Sequence, residues 1–491
     1  MSQSEHVDVL IVGAGLSGIG AACHLRTRFS HKSIAILEAR EALGGTWDLF
    51  RYPGIRSDSD MYTLGYRFKP WVERESIADG PSILRYLHET AREYGVDKLI
   101  RYRHRVARAE WSSVDARWTV TVERSDTGET VQLTCGFLFA CAGYYRYDQG
   151  YTPELPGIEH FQGQVVHPQH WPEDFDYAGK QVVVIGSGAT AVTLVPAMAR
   201  DAAHVTMLQR SPSYIITIPG QDALANGMRR VLPGRAAYAI TRWKNVLLQL
   251  GIFRLSRRFP NRMRSLLKKL VRMQLPDGYP VETHFDPPYD PWDQRLCLVP
   301  DGDLFKSIRR GDASVATGRI DTFTRSGIRL GSGMELEADI VVTATGLNLL
   351  AFGGIEFVVD GREISLPETM AYKGVMLSGI PNFAYVVGYT NASWTLKADL
   401  ACEYVCKLLE YMDTHGYDRC LPERDPSVAE EPFLDLTSGY VQRALHKLPK
   451  QGDRAPWKLR MNYPRDIFTL RRGEVADEGL TFDTAPERAL H

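Results

Sequence analysis

The 491-residue chain has few cysteines, no bias of charge and no long charge-free apolar run, and each shortage removes a class of protein. Its seven cysteines (Cys23, Cys135, Cys141, Cys297, Cys402, Cys406 and Cys420) are odd in number and scattered, which excludes a disulfide framework and suits a reducing cytoplasm. No CxxC or HxxxH spacing occurs, so no metal site is expected. Basic and acidic residues cancel, 58 against 59, and a net charge of −1 predicts no nucleic-acid partner. The opening Met1-Ser2-Gln3-Ser4-Glu5-His6 lacks the basic region of a signal peptide. The uncharged stretch Val9–Cys23 holds four glycines and reads as a turn, not as a membrane span. With 44% hydrophobic and 24% charged residues the chain is globular, and about 150 residues per domain allows roughly three units, or two large ones.

What is present is one template written twice. Val7–Val12 is a short apolar run, followed by Gly13-Ala14-Gly15-Leu16-Ser17-Gly18, a helix-compatible stretch to Thr27, and a second strand-like run closed by Glu38. This is a βαβ dinucleotide fingerprint. Gly13 makes the tight turn, Gly15 lets backbone approach a pyrophosphate, and Gly18 lets helix pack on strand. Leu16 and Ser17 open a helix whose free N–H groups face the phosphates, and Glu38 accepts from a ribose diol. The second copy runs Lys180–Ile185, Gly186-Ser187-Gly188-Ala189-Thr190-Ala191, then Val205–Gln209. Where the first copy has an acid, this one has Gln209-Arg210-Ser211. A guanidinium and a hydroxyl bind a 2′-phosphate that a carboxylate would repel. The first copy is therefore expected to take FAD and the second NADPH.

The expected fold class is α/β, with two Rossmann-like domains, the NADPH domain inserted in the FAD domain, and a helical insert. The expected boundaries are 1–144 for the first part of the FAD domain and 150–338 for the NADPH domain, including a basic helical insert at 222–280. Residues 339–491 then form the second part of the FAD domain and the tail. Phe137–Gly143 and Asp339–Gly346 are the strand-like runs at which the chain leaves and re-enters. Trp394 begins a helix-like segment whose N-terminal dipole suits the edge of a reduced flavin.

Two further segments are dense in fixed positions. Gly44-Gly45-Thr46-Trp47 leads through Tyr52-Pro53-Gly54 to Arg56-Ser57-Asp58, and Phe161-Gln162-Gly163 leads through His167 to Trp171-Pro172. Here the chain resembles the type I Baeyer–Villiger monooxygenases, whose two fingerprints it matches at every fixed position. Trp171-Pro172 separates it from the related heteroatom monooxygenases. Over Arg51–Tyr62, Tyr289–Pro300 and Tyr389–Asp399 it is similar to the ethionamide-activating branch of FAD monooxygenases. The resemblance implies that NADPH reduces FAD, O2 forms a C4a-peroxyflavin, and a ketone gives an ester or lactone, with S-oxidation of sulfides or thioamides besides. It implies Arg295 as the catalytic cation, oriented by Asp58 with Arg56 beside it. An anion in a dry pocket needs a cation that stays protonated, which suits arginine. Gly45, Thr46, Trp47, Asp58, Tyr62, Val106 and Trp394 are implied on the flavin side. One position departs from the family: Gln294 stands where many members carry lysine before the catalytic arginine, which removes one cation from the 2′-phosphate site.

Other readings stand beside this one. A heteroatom (N/S) monooxygenase shares the two domains, and a non-catalytic membrane-associated redox sensor would tolerate loss of Arg295 or Asp58. A disulfide reductase would need a cysteine pair at the flavin, whereas Cys402 and Cys406, one helical turn apart, read as small core residues. His167 reads as a hinge residue. Between Arg229 and Arg272 lie thirteen cations and no acid, with Trp243, Leu247, Leu248, Phe253 and Leu266 interleaved. This insert reads first as a roof over the active site with a solvated basic face. Its second reading is a peripheral contact with an anionic membrane on the inner face of the cell membrane.

Overall fold

The computed structural model describes residues 5–485; the opening Met1-Ser2-Gln3-Ser4, part of the signal-peptide reading, lies outside them. Glu5–Val12 forms a parallel strand between Ile34–Leu37 and Thr130–Ala140. Val9, Leu10 and Ile11 are fully buried, as expected of a strand covered on both faces. Beyond Thr130–Ala140 the sheet turns antiparallel through Arg117–Arg124 and His104–Ser112, and Glu356–Val359 extends it. Phe383–Tyr385 returns from the C-terminal part to pair with Thr130–Ala140. The helix Leu16–Arg28 shares its core with the long helix Trp394–His415, through Ile19, Ala22 and Cys23 against residues such as Leu400, Ala401 and Tyr404. Cys402 and Cys406 are buried there, and all seven thiols are free.

The second sheet has five parallel strands in the order Ala313–Thr317, His204–Gln209, Gln181–Ile185, Ile340–Thr343, Gln164–Val166. This corrects one boundary. Ile340–Thr343 was expected to open the returning FAD segment at 339, yet it lies inside the second sheet between two of its strands. A run buried on both faces has no apolar or polar side to say which sheet it joins. The chain crosses back later, where outgoing and returning segments bond to each other: Arg146 N–H to Asn348 O at 2.9 Å and Leu350 N–H to Tyr144 O at 2.9 Å.

The basic stretch folds as three helices, Ala223–Val231, Gly234–Arg258 and Pro260–Arg272. Asp222 caps the first by accepting the Ala225 N–H at 2.9 Å, and Pro260 opens the third, where a missing N–H costs nothing. The basic face is not all solvated. Arg242 turns inward, donates to the carbonyls of Tyr62 and Gly65 at 2.8 Å each, and pairs with buried Asp399 at 3.3 Å.

Candidate active site

A cavity of about 1260 Å³ reaches from the first glycine turn to the start of the Trp394–His415 helix. Its floor is bare backbone. Gly13 has φ +98°, and a side chain there would meet Ala142 Cα at 2.9 Å. Gly15 faces the backbone of Gly45, and a Cβ on Gly15 would sit 3.6 Å from Gly45 Cα. Leu16, Ser17, Thr46, Trp47 and Val106 also line the cavity. Gly18 does not: a Cβ there would collide with the Gly13 carbonyl at 1.8 Å, so this glycine packs the helix on the turn. Glu38 lines the cavity while accepting the Ala14 N–H at 2.7 Å and the Arg40 N–H at 2.9 Å. Burial pushes its carboxyl up, and those two hydrogen bonds oppose the push. A bare floor, a helix N-terminus and an acid with a free lone pair on each oxygen fit the adenosine end of FAD.

Arg295 enters the same cavity from the loop before the strand Cys297–Pro300. It donates from Nη1 to Asp58 Oδ2 at 3.3 Å and from Nη2 to the Tyr389 carbonyl at 3.4 Å, while Nε is buried with no partner. Its side chain is 33% exposed, and the space it borders is the cavity. Burial would draw its pKa down, but Tyr144 and Asp58 beside it outweigh that and hold the guanidinium charged. Arg56 lines the cavity but not as a partner of Asp58: its guanidinium pairs with Asp303, at the start of the helix Asp303–Arg310. Two residues apart on an irregular segment, the side chains of Arg56 and Asp58 diverge, so Arg56 ties the fingerprint to the second domain. Trp394 closes the wall, donating from Nε1 to Ser17 Oγ at 2.8 Å and packing 5.1 Å from Tyr144. Since Ser393 and Trp394 both line the cavity, the helix points its positive end into it.

The second glycine turn sits apart from this floor, and only Ala189 and Thr190 of it reach the cavity lining. Gly186 has φ +142°, and a Cβ there would strike the Ala344 carbonyl at 2.3 Å, whereas one on Gly188 would meet open space. Arg210 is exposed, and Ser211 uses its carbonyl to accept from Ser187 Oγ at 3.1 Å. Gln209 faces inward instead: it is buried and donates from Nε2 to His284 O at 2.8 Å and to Thr317 Oγ1 at 2.9 Å, tying its strand to the neighbouring strand Ala313–Thr317 and to the short helix Val281–His284. Tyr62, expected on the flavin side, is not among the residues that line the cavity. It lies on the short helix Met61–Leu64, off the cavity, with its ring 6.0 Å from Tyr238 of the insert. His167 accepts the Gln169 N–H on Nδ1 at 3.1 Å and packs against Gly150, and burial lowers its pKa. The ring sits in the linker and is not among the residues that line the cavity.

Some wall residues carry no motif. Tyr144, Tyr145 and Tyr147 line the cavity just after the strand Thr130–Ala140, where its small-residue turn was the available signal. Asn245, Leu248, Gln249 and Ile252 line it from the insert, which does roof the site. Asp60 fastens that roof, accepting from Asn245 at 2.8 Å and Gln249 at 3.0 Å.

The comparisons agree with this geometry. A model of flavin-binding monooxygenase-like proteins matches residues 75–250, and one of NAD(P)-binding Rossmann-like domains matches 11–71. The FAD-containing monooxygenase EthA of Mycobacterium tuberculosis is 58% identical over 486 residues, 99% of each chain. That of Mycolicibacterium smegmatis is 55% identical over 482 residues, 98% of each. Among solved structures, a steroid monooxygenase bound to NADP aligns with a TM-score of 0.75 at 23% identity, covering 98% of this chain and 100% of that one. Cyclohexanone monooxygenase in an open form aligns with a TM-score of 0.76 at 20% identity over the same shares. These two likenesses concern the fold.

Proposed function

This chain belongs to the FAD-containing monooxygenases, and from that premise we propose that it inserts one atom of O2 beside a ketone carbonyl, giving an ester or lactone, with S-oxidation of sulfides or thioamides as a second outcome. The balance is ketone, O2, NADPH and a proton to ester, water and NADP+. Bound FAD supplies the electron transfer and the activation of oxygen. The chain supplies binding, orientation, charge and dryness. The glycine floor and Glu38 hold the dinucleotide, Trp394 and Tyr144 wall the reacting region from solvent, and Arg295 offers a charge that does not titrate.

The observation that carries the reading is Arg295 itself: a charged guanidinium in the cavity, tethered on one side by Asp58, with Nε unengaged by protein. A preorganised cation of this kind is worth about 10²–10³ in rate where negative charge develops. Arg295→Ala should still oxidise NADPH but release its electrons as hydrogen peroxide, with ester formation lost. Asp58→Ala should uncouple more mildly, since it orients the arginine. The measurement is product and peroxide per NADPH with linear, cyclic and aryl ketones; full ester yield from Arg295→Ala would sink the assignment. Sulfoxidation should outlast ketone oxidation in this variant, because oxygen transfer to sulfur does not need the anionic oxidant that Arg295 stabilises; a parent enzyme that oxidises sulfides but no ketone would favour the heteroatom reading.

The insert supports a cytoplasmic enzyme in peripheral contact with an anionic membrane. No helix among the described residues is long and apolar enough to cross a bilayer. Yet thirteen of the nineteen most exposed large apolar side chains among them fall between Leu224 and Met273. Arg230, Arg235, Arg254 and Lys269 stand among these with no acidic partner among the described residues, while Arg257 and Arg264 pair with Asp293 and Asp286. Leu248 and Ile252 are exposed and also line the cavity, so the apolar face runs into its mouth. This favours apolar substrates.

A further inference from the structure

The C-terminal segment is pinned beneath the loop that holds Arg295, and neither the dinucleotide folds nor the roof accounts for it. Tyr389, whose carbonyl accepts from Arg295, is buried, and its hydroxyl donates to Asp466 Oδ2 at 2.7 Å. The same oxygen accepts from Lys397 Nζ at 2.8 Å, and Lys397 lies one turn into the helix that opens at the cavity. The ammonium also sits 5.9 Å from the Tyr389 ring. Two residues on, Asn391 lines the cavity and donates to the Met461 carbonyl at 2.9 Å. Tyr463, between these contacts, packs 6.5 Å from Tyr389 and 5.9 Å from Trp243 of the insert.

A buried ion pair is a poor way to gain stability, because desolvation offsets most of the attraction, and apolar side chains of similar size do as well. What it does provide is direction. A carboxylate oxygen shared by an ammonium and a phenol fixes the Tyr389 ring about both its torsions. The ring and the carbonyl of one residue are joined through a single Cα, so holding the ring restrains where the carbonyl points. The Asp58 tether alone, one hydrogen bond at 3.3 Å to a side chain that is 51% exposed, leaves the guanidinium free to swing.

Resting on the reading of Arg295 above, we propose that Asp466 is a positioning residue for it: Asp466, shared between Lys397 and the Tyr389 hydroxyl, sets the Tyr389 carbonyl that gives the guanidinium its second hydrogen bond. The C-terminal segment is thereby part of the oxygenating machinery, though it touches no reacting atom.

The test uses the FAD-loaded enzyme and three variants, Asp466→Asn, Asp466→Glu and Tyr389→Phe, with Arg295→Ala as control. Asp466→Asn should reduce its flavin with NADPH within about twofold of the parent rate, while peroxide released per NADPH rises at least threefold. Asp466→Glu should recover part of the coupling. Hydrogen–deuterium exchange should show residues 389–391 loosened in Asp466→Asn with the glycine turns unchanged. If Asp466→Asn folds poorly, Tyr389→Phe, which removes one hydroxyl, should still raise the peroxide fraction. Unchanged peroxide with a loosened 389–391 loop would overturn the proposal, as would an undisturbed loop. Arg295→Ala separates the two ideas: if it keeps full product yield, the reading of the site falls; if it uncouples and both Asp466→Asn and Tyr389→Phe do not, only the role of Asp466 falls.

Discussion

Arg210 and Glu38 occupy equivalent places in the two halves and face different surroundings. Glu38 is buried against backbone N–H groups, whereas Arg210 is exposed with no acid paired to it among the described residues. An unpaired guanidinium at the end of a nucleotide-binding strand is free to grip a phosphate bidentately. Arg210→Ala should therefore cost about 1.5–3 kcal/mol in kcat/KM for NADPH, the range for a hydrogen bond to a charged group, and little for NADH. Equal loss with both nicotinamides would remove the phosphate role. The neighbouring Gln209 shows where reading by position stops. Gln209 is the last residue of the strand His204–Gln209 and its side chain turns to Thr317 and His284, whereas Arg210 is the first residue past the strand and is exposed.

At the scale of elements, the insert has an inner and an outer surface with different physics. The inner one is docked by Arg242, and Asp399 beneath it also accepts from His24 at 3.3 Å and from the Arg67 N–H at 3.0 Å. Arg242→Met should destabilise the protein by about 3 kcal/mol, the low end for breaking a buried pair, because Asp399 keeps two other partners. A denaturant midpoint would show it. Burial pushes the Asp399 carboxyl up, but His24 and Arg242 outweigh this and hold it below the ordinary carboxylate value of 3.8. A depressed folded pKa gives stability that is present above the unfolded value and fades as pH falls through the folded one. Loss of stability below about pH 4 should accordingly be shallower in Arg242→Met than in the parent. The outer surface makes a different prediction. Binding to anionic vesicles should weaken steeply with salt, because charge attraction is screened over about 10 Å at 0.1 M. Binding that is absent, or indifferent to salt, would leave the insert with its roofing role alone.

At the scale of the whole molecule, the large cavity is walled by parts of the chain far apart in order: the first glycine turn, the fingerprint, the insert, the Arg295 loop and the Trp394 helix. FAD held there would bridge these segments in addition to their direct contacts, so it should stabilise the folded chain as a unit. Free FAD at 100 times its Kd should add about 2.7 kcal/mol, read as a rise in Tm that grows with FAD concentration. A yellow, FAD-bearing protein whose Tm does not move when the flavin is stripped would contradict this.

The sequence by itself determined the parts whose demands are local. Gly13 must reach a positive φ, Gly15 must leave backbone bare, and an acid must follow the second strand; each is a rule about neighbours in the chain, so spacing alone reveals it. The insert was visible for the same reason, as thirteen cations without an acid. What only the tertiary structure decided are the pairings across long separations. Arg295 meets the Tyr389 carbonyl, Arg56 goes to Asp303, Arg242 turns inward to Asp399, and Ile340–Thr343 joins the second sheet. A charged side chain accepts any nearby opposite charge, and an apolar strand accepts any covered sheet. Their choice among equals is made by the docking of domains, which no local pattern encodes.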